Sequence, residues 1–372
     1  MKSRQPLWDP DTPVPARGDL SPLERVRISA IRPHSGRSFV HGASLLIQGS
    51  EMWCSFACNE GAENSDTETA RMRRSPDGGR TWTPDEMIAG PGQGVGTSHG
   101  VFARTASGDV VTLLGTVADG MVGISTRRCT YQPQTRTWGE PEWVADGFWP
   151  LQEPLLTASG HLVLAGVWKS DHLPYLPLAA APPAVLISTD PDLGRWRMVV
   201  PYVACDRPYW GESSVLVDGD RLLLVARSSK QVGYLLAGCS DDGGQSWSAM
   251  RVSDIPFTSS KPHIGRLSSG VPYLIGTSYA GVTGERSVLT ISLGRPGSRT
   301  FGLTRVIRWA DQPSEPDSAI TGALSYPHAV EHEGTLHVAY SNDGGRGMNL
   351  NGLELASLDV RELTDAAAAL VR

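Results

Sequence analysis

The chain has 372 residues, 40% of them apolar, with 33 Lys and Arg against 39 Asp and Glu, a formal net charge of −6 and a pI near 5.9. Without a basic stripe this acidic balance argues against a nucleic-acid surface; no apolar run is long enough for a helical membrane span, and neither a Walker loop nor a dinucleotide fingerprint is present. The five cysteines are unpatterned and include no Cys-x-x-Cys, so neither a disulfide framework nor a cysteine zinc site is expected, and with no apolar leader in residues 1–6 a cytoplasmic setting is expected.

In chain order, residues 1–20, rich in Pro and charge, read as an N-terminal arm. Arg25-Val26-Arg27-Ile28-Ser29-Ala30 is a strand candidate. A hairpin then recurs along the rest of the chain: an apolar strand, a turn ending in Gly, and a second apolar strand. The turn glycines are Gly49, Gly108, Gly160, Gly219, Gly270 and Gly334, about 57 residues apart, a period that fits blades of a propeller. No long amphipathic helix pattern interrupts them, and 41 Gly and 27 Pro supply the turns of an all-β chain. The expected fold is all-β, a six-bladed β-propeller of four-stranded antiparallel blades, forming one domain over residues 21–362. Only one strand candidate, residues 353–358, follows the last hairpin, so the segment at Arg25–Ala30 is expected to complete the last blade and close the ring. Residues 363–372 read as a tail, either a short helix or frayed. The Gly-rich stretch 342–349, which contains Arg346, reads as a blade connection.

An octapeptide is superimposed on these hairpins. Ser75-Pro76-Asp77-Gly78-Gly79-Arg80-Thr81-Trp82 returns as Ser240-Asp241-Asp242-Gly243-Gly244-Gln245-Ser246-Trp247. Asp-Gly-Gly supplies the positive φ angles of a tight turn, the Asp side chain binds backbone N–H groups within it, and the Trp plugs the sheet. Weaker copies lie at Ser188–Trp196, Gln134–Trp138 and Ser292–Phe301. The pattern resembles the Asp box, or BNR repeat, of the sialidase superfamily. That resemblance implies a propeller whose Asp boxes sit on blade edges away from the cleft, which makes Asp77 and Asp242 structural.

In a propeller the innermost strands converge on a central channel, and the turn glycines locate their starts. Six to nine residues before them stand His41, His99, Glu153, Glu212, His263 and His328, with Tyr326 two residues before the last. An ionisable side chain in every unit points to acid–base work in one cleft. Arg227 ends the strand returning from Glu212, Lys261 precedes His263, and Glu60, Glu63 and Asp66 lie in a polar loop before the first octapeptide.

The sialidase resemblance extends to several of these. It implies Tyr326 as nucleophile, paired with Glu212 as its base, and Glu63, or else Glu60, as the acid. Arg227 and Arg286 resemble two of the three arginines that clamp a substrate carboxylate in that family. Where the first arginine is expected, this chain has Phe39-Val40-His41-Gly42-Ala43-Ser44, with His41 near that place. His41, His99, His263 and His328 are not part of the sialidase pattern.

Three functions compete. One is a sialidase-like, exo-acting glycoside hydrolase that removes a terminal anionic sugar, with Tyr326, Glu212 and Glu63 catalytic and Arg227 and Arg286 holding the anion. Another is a lyase on uronate-containing glycans, with His41, His99, His263 and Tyr326 as acid–base groups and Lys261, Arg227 or Arg286 at the carboxylate. The third is a non-catalytic glycan-binding propeller, with Trp149, Tyr209 and Trp210 stacking on sugars. Glu153, Lys261, His263 and His328 complete the expected substrate-binding set. The partner in each reading is a carbohydrate. No cofactor is expected, and no metal, since no local His spacing supports one.

Overall fold

Period-2 apolar strands separated by Gly turns fold here into six sheets in succession around a channel. The computed structural model describes residues 4–33, 39–61, 63–92, 94–118, 121–169, 180–311, 323–343 and 352–371. Blade 1 is formed by Phe39–Gln48, Glu51–Asn59, Thr69–Ser75 and Glu86–Ala89. Blade 2 begins with Gly96–Arg104, Val110–Ala118 and Val122–Gln132, with Thr137–Trp138 and Glu142–Asp146 sharing its outer edge. Blade 3 has a broken inner strand, Phe148–Pro150 and Leu155–Leu156, then Leu162–Trp168, Pro183–Ser188 and Arg197–Val199. Blade 4 is Ser213–Asp218, Arg221–Ala226, Tyr234–Ser240 and Arg251–Pro256, and blade 5 is His263–Arg266, Pro272–Gly276, Val288–Leu293 and Leu303–Trp309. Blade 6 is Leu324–His332, Thr335–Asn342, Gly352–Asp359 and, from the other end of the chain, Val26–Arg32.

That last strand closes the ring. Val26–Arg32 pairs antiparallel with Gly352–Asp359, from Val26 opposite Leu358 to Arg32 opposite Leu353. The six turn glycines all join a first strand to a second, with φ between 61° and 90°, where a Cβ is disfavoured. Each neighbouring pair of blades shares its own apolar cluster. Ile31, Val40, Phe56 and Leu355 pack between blades 6 and 1, and Trp53, Met72, Phe102 and Leu114 between blades 1 and 2.

Residues 4–20 do not hang free as an arm. Gln5 N–H donates to Val252 O at 2.9 Å and Asp9 N–H to Phe301 O at 2.7 Å, while Leu7 and Trp8 are buried between blades 4 and 5. Ser21–Pro22 then joins blade 5 as a short parallel edge. The C-terminal helix Val360–Ala368 is capped by the Asp359 side chain, which accepts from Arg361 N–H at 2.8 Å, and buries Leu363 and Ala367. Among the described residues no helix is long and apolar enough to cross a membrane.

Both octapeptides form the turn between the third and fourth strands of their blades. In blade 1 the Asp77 carboxylate accepts from Thr81 N–H at 2.9 Å and the Thr81 hydroxyl at 2.7 Å, and Ser75 Oγ accepts from Gly79 N–H at 2.8 Å. In blade 4, Asp242 and Ser240 repeat the set with Ser246 and Gly244. These bonds, Thr81 N–H foremost, hold the Asp77 carboxyl well below its ordinary value. The weaker copies occupy the same turn in blades 2, 3 and 5. In blade 3, Trp196 Nε1 donates to Leu193 O at 2.9 Å as Trp247 Nε1 does to Gly244 O at 2.8 Å, and Leu193 takes the left-handed angle, φ 61°, without being glycine. Blade 6 has no such turn, because its fourth strand arrives from the N-terminus.

Closure makes a specific energetic demand. Ile31 is fully buried in the seam between blades 6 and 1, so Ile31→Ala is expected to cost about 2–5 kcal/mol. Arg25→Ala, which removes an exposed ion pair with Asp359, is expected to leave stability nearly unchanged. Urea unfolding of both variants checks the contrast; equal losses would mean the seam does not limit stability.

Candidate active site at the blade seam

The inner strands of blades 1, 2 and 6 share one irregularity. In blade 1 the register passes from His41 opposite Ala57 to Ser44 opposite Ser55, so Gly42-Ala43 faces Phe56 alone. In blade 2, Ser98-His99 faces Gly115 between Thr97 opposite Thr116 and Gly100 opposite Leu114. In blade 6, Tyr326-Pro327 faces Tyr340 between Ser325 opposite Ser341 and His328 opposite Ala339. Each is a bulge of two residues against one, a device that re-aims side chains. Tyr326 sits at φ 56° although it precedes a proline, which favours extended backbone; strain of this kind costs about 1–3 kcal/mol and clusters at functional sites. Gly42 has φ 68°, and a Cβ there would lie 2.1 Å from the His99 ring.

The bulges bring His41, His99 and Tyr326 to the wall of a cavity of about 320 Å³, toward the small end for small-molecule sites. Glu63 and Asn64 from the loop after the second strand of blade 1, Glu212, Arg227, Arg286, Ser325 and Asp343 add polar groups, while Met121, Trp149, Leu151, Val167 and Trp210 form an apolar side. The His41 and Tyr326 rings meet edge to face at 3.9 Å. His99 lies 5.7 Å from His41 and 5.3 Å from Trp149.

The centre is a short hydrogen-bond triangle. Tyr326 Oη donates to Glu212 Oε1 at 2.6 Å, and Arg227 Nη1 donates to Glu212 Oε2 at 2.6 Å and to Tyr326 Oη at 3.1 Å. Glu212 stands just before the inner strand of blade 4 and Arg227 just after the strand paired with it; Arg227 N–H donates to Glu212 O at 2.9 Å, which fixes the two together. Arg286 donates to Ser259 O at 2.7 Å and lies 5.8 Å from the Tyr326 ring centre. Its backbone is pinned to blade 6 by Leu324 N–H to Arg286 O at 2.8 Å.

Burial, and then the charge of Glu212, raise the Tyr326 phenol well above its ordinary value and raise the Glu63 carboxyl as well. The phenol therefore keeps its proton for Glu212, and Glu63 is biased toward the protonated acid. Burial leaves His41, His99 and His263 neutral at pH 7, with His99 pushed down to about 3. His41 Nδ1 is 3.1 Å from Ser341 Oγ, and its Nε2 is 3.8 Å from Glu63 Oε1.

The remaining expected site residues stand elsewhere. Glu153, Lys261, His263 and His328, expected to bind substrate, do not line the cavity and form a second tier in the channel. His328 Nδ1 accepts from Leu45 N–H at 3.2 Å, so its Nε2–H donates to Glu153 Oε2 at 2.9 Å. His263 Nε2 accepts from Ala329 N–H at 3.3 Å, and Lys261 Nζ donates to Leu151 O at 3.0 Å. Four blades are tied together by these bonds. The physical reason for the split is the bulge, which lets Tyr326 and His328, two residues apart, serve different levels of the channel. Glu60 is exposed and outside the cavity wall. Arg346 lies outside the described residues. Among the described residues no group of three His, Cys, Asp or Glu is placed to hold a metal.

Sequence reasoning missed Glu68 and Gln152. Glu68 is buried, accepts the Ser98 hydroxyl and accepts from Asn64 N–H at 2.7 Å, joining the Glu63 loop to blade 2. Gln152 Oε1 accepts from Val215 N–H at 2.6 Å and its amide donates to Ile264 O at 3.2 Å, bridging blades 3, 4 and 5. No local signal distinguishes Glu68 from Glu60 or Glu63.

The fold is a six-bladed propeller with a hydrogen-bonded Tyr–Glu–Arg triangle at the converging strand starts. The sequence profile of the BNR repeat-like domain matches residues 50–338, and the chain belongs to that family. No curated protein matches the chain in sequence. Among solved structures, a protein of unknown function from Dyadobacter fermentans is similar at TM-score 0.67 and 14% identity over 89% of this chain and 99% of its own. The intramolecular trans-sialidase from Ruminococcus gnavus, in complex with oseltamivir carboxylate, is similar at TM-score 0.65 and 12% identity over 90% of this chain and 98% of its own. Trypanosoma rangeli sialidase, in complex with 2,3-difluorosialic acid as a covalent intermediate, is similar at TM-score 0.67 and 11% identity over 94% of this chain and 61% of its own.

Burial raises the Glu68 carboxyl from 4.5 to about 7. A raised carboxyl binds its proton more tightly folded than unfolded, so its contribution to stability is full below pH 4.5 and is lost as pH rises to about 7. Over that window the wild type should lose on the order of 3 kcal/mol relative to Glu68→Gln. Urea unfolding of both proteins from pH 4.5 to 8 checks this, and a stability difference flat with pH would show that Glu68 is ionised throughout.

Proposed function

We propose that this protein is a retaining, exo-acting glycoside hydrolase that releases a terminal, acidic sugar from a glycan. The observation that carries the reading is the 2.6 Å bond from Tyr326 Oη to Glu212 Oε1, closed by Arg227. A phenol is a weak nucleophile until a base takes its proton, and a carboxylate at this distance is placed to do so. Tyr326 Oη attacks the anomeric carbon as the bond to the leaving oxygen breaks. The phenol proton passes to Glu212, and Glu63, biased toward its acid form, protonates the leaving oxygen. In the second half Glu63 takes a proton from water, the hydroxide oxygen bonds to the anomeric carbon, and Tyr326 leaves and recovers its proton from Glu212. The site is left as it began. The covalent intermediate in the similarly folded Trypanosoma rangeli sialidase supports a covalent course.

The small cavity favours one terminal residue over a long chain. Arg286, whose guanidinium bonds only the Ser259 carbonyl among the described residues, supports an acidic substituent on that residue. Trp149 and Trp210 offer flat apolar surface for a sugar face. The neutral His99, with its distal nitrogen unengaged among the described residues, favours a second reading. In it an imidazole removes a proton beside a uronate carboxylate while Tyr326 or a second imidazole protonates the departing glycosidic oxygen.

Aryl glycosides of N-acetylneuraminate, glucuronate and galactose, alongside uronate oligosaccharides, separate the readings. Release of a saturated acidic sugar is expected, and Tyr326→Phe should lower kcat by about a thousandfold or more. Glu63→Gln should cost about 10²–10⁴-fold on unactivated glycosides, spare aryl glycosides that leave without a proton, and remove the loss of rate that wild type shows as pH rises through the raised Glu63 value. Appearance of the ultraviolet absorbance of an unsaturated uronate, in place of a saturated acidic sugar, would instead establish elimination.

A further inference from the structure

We propose that His99 reads the bound sugar as a hydrogen-bond acceptor, and that Glu68 and Ser98 fix the imidazole tautomer that makes it one. The ligand group it takes is a neutral donor, a hydroxyl or an amide N–H, on the sugar face that meets Trp149. This deepens the glycan reading of the cavity and rests on it.

The order of protons along three side chains carries the inference. Glu68 Oε2 accepts from Asn64 N–H at 2.7 Å and Oε1 accepts the Ser98 hydroxyl. A serine hydroxyl has one proton. Once it is given to the Glu68 carboxylate, Ser98 Oγ offers only lone pairs to His99 Nδ1, 3.3 Å away. Nδ1 must therefore carry the ring proton. A neutral imidazole has only one N–H, so the distal Nε2 presents a bare lone pair.

That lone pair has no protein partner among the described residues, although His99 is only 9% exposed and lines the cavity. Buried polar atoms left without partners are rare and costly, and they mark a place where something else binds. The surrounding chain preserves the arrangement. Gly42 leaves room for the ring, since a Cβ there would lie 2.1 Å from His99 Cγ. Trp149, at 5.3 Å, supplies the adjoining apolar surface. Glu68 also holds the backbone of Asn64, next to Glu63, so the group that sets the His99 tautomer also holds the loop carrying the acid.

Glu68→Gln is the diagnostic variant because it keeps shape and reverses the protons. The amide oxygen must face Asn64 N–H, so the NH₂ donates to Ser98, Ser98 donates to His99 Nδ1, and Nε2 becomes the protonated nitrogen. Nitrogen-15 NMR of histidine-labelled protein at pH 8, with His99→Phe identifying the signal, should show the Nδ1–H tautomer in wild type and the Nε2–H tautomer in Glu68→Gln. Calorimetric titration with free N-acetylneuraminate, glucuronate, galactose and N-acetylglucosamine should show roughly tenfold weaker binding of whichever sugar binds in both variants. An Nε2–H tautomer in wild type, or no change in Glu68→Gln, overturns the proposal, as does unchanged affinity in His99→Phe. Failure of folded wild type to bind any of the four sugars would sink the glycan reading and with it the ligand assigned to His99. Retained sugar binding with unchanged affinity in the variants would sink the His99 assignment alone.

Discussion

The site exists because the ring closes. The strand Val26–Arg32 completes a sheet whose other three strands lie at the far end of the chain. Without that pairing, blades 1 and 6 have no reason to meet. Across their seam the His41 and Tyr326 rings touch at 3.9 Å, His41 reaches Ser341, and His328 accepts from the backbone of Leu45. The apolar part of the seam is supplied by Ile31, Val40, Phe56, Leu353 and Leu355. Packing there fixes the distance between two halves of the site that, among the described residues, share no backbone–backbone hydrogen bonds.

A propeller also sets a problem at its centre. Within a blade each strand satisfies its neighbour, but the inner strands of adjacent blades face one another across a channel without forming a sheet. Side chains must bridge what backbone does not, because buried polar groups need partners. Gln152, Lys261, His263 and His328 do this, each reaching a backbone group of another blade. The polar residues at the strand starts therefore serve two purposes. His41, His99, Glu212 and Tyr326 line the cavity, and Gln152, Lys261, His263 and His328 hold the ring.

The electrostatics of the cavity follow from burial. The His41 and His99 imidazoles stay neutral, the Tyr326 phenol keeps its proton, and the Glu63 carboxyl is biased toward its acid form. Glu212 is held instead by Arg227 and Tyr326. Two carboxyl groups of similar intrinsic acidity are thus placed in different surroundings, one engaged by a cation and a phenol and the other raised by burial and by the first.

The fold was legible in the sequence because it is written in local signals. Six Gly turns at positive φ, two Asp-Gly-Gly boxes and period-2 apolar strands each specify their own conformation. The missing strand of the last blade was legible by counting. The strand starts pointed to Tyr326, Glu212, His41 and His99, since convergence in a propeller follows from topology, and the family resemblance added Glu63, Arg227 and Arg286. It did not reveal which ionisable residues face the cavity. A single extra residue in the inner strands of blades 1, 2 and 6 reverses the side-chain alternation on which such a reading depends. His328 was thereby parted from Tyr326 and bonds to blades 1 and 3; Glu153, Lys261 and His263, in blades 3 and 5, engage groups of other blades instead of lining the cavity, and Glu68 passed unnoticed because its partners, Asn64 and Ser98, meet it only when blades 1 and 2 pack. Local backbone preference determined the architecture; register and inter-blade contact, which are properties of the closed ring, decided the site.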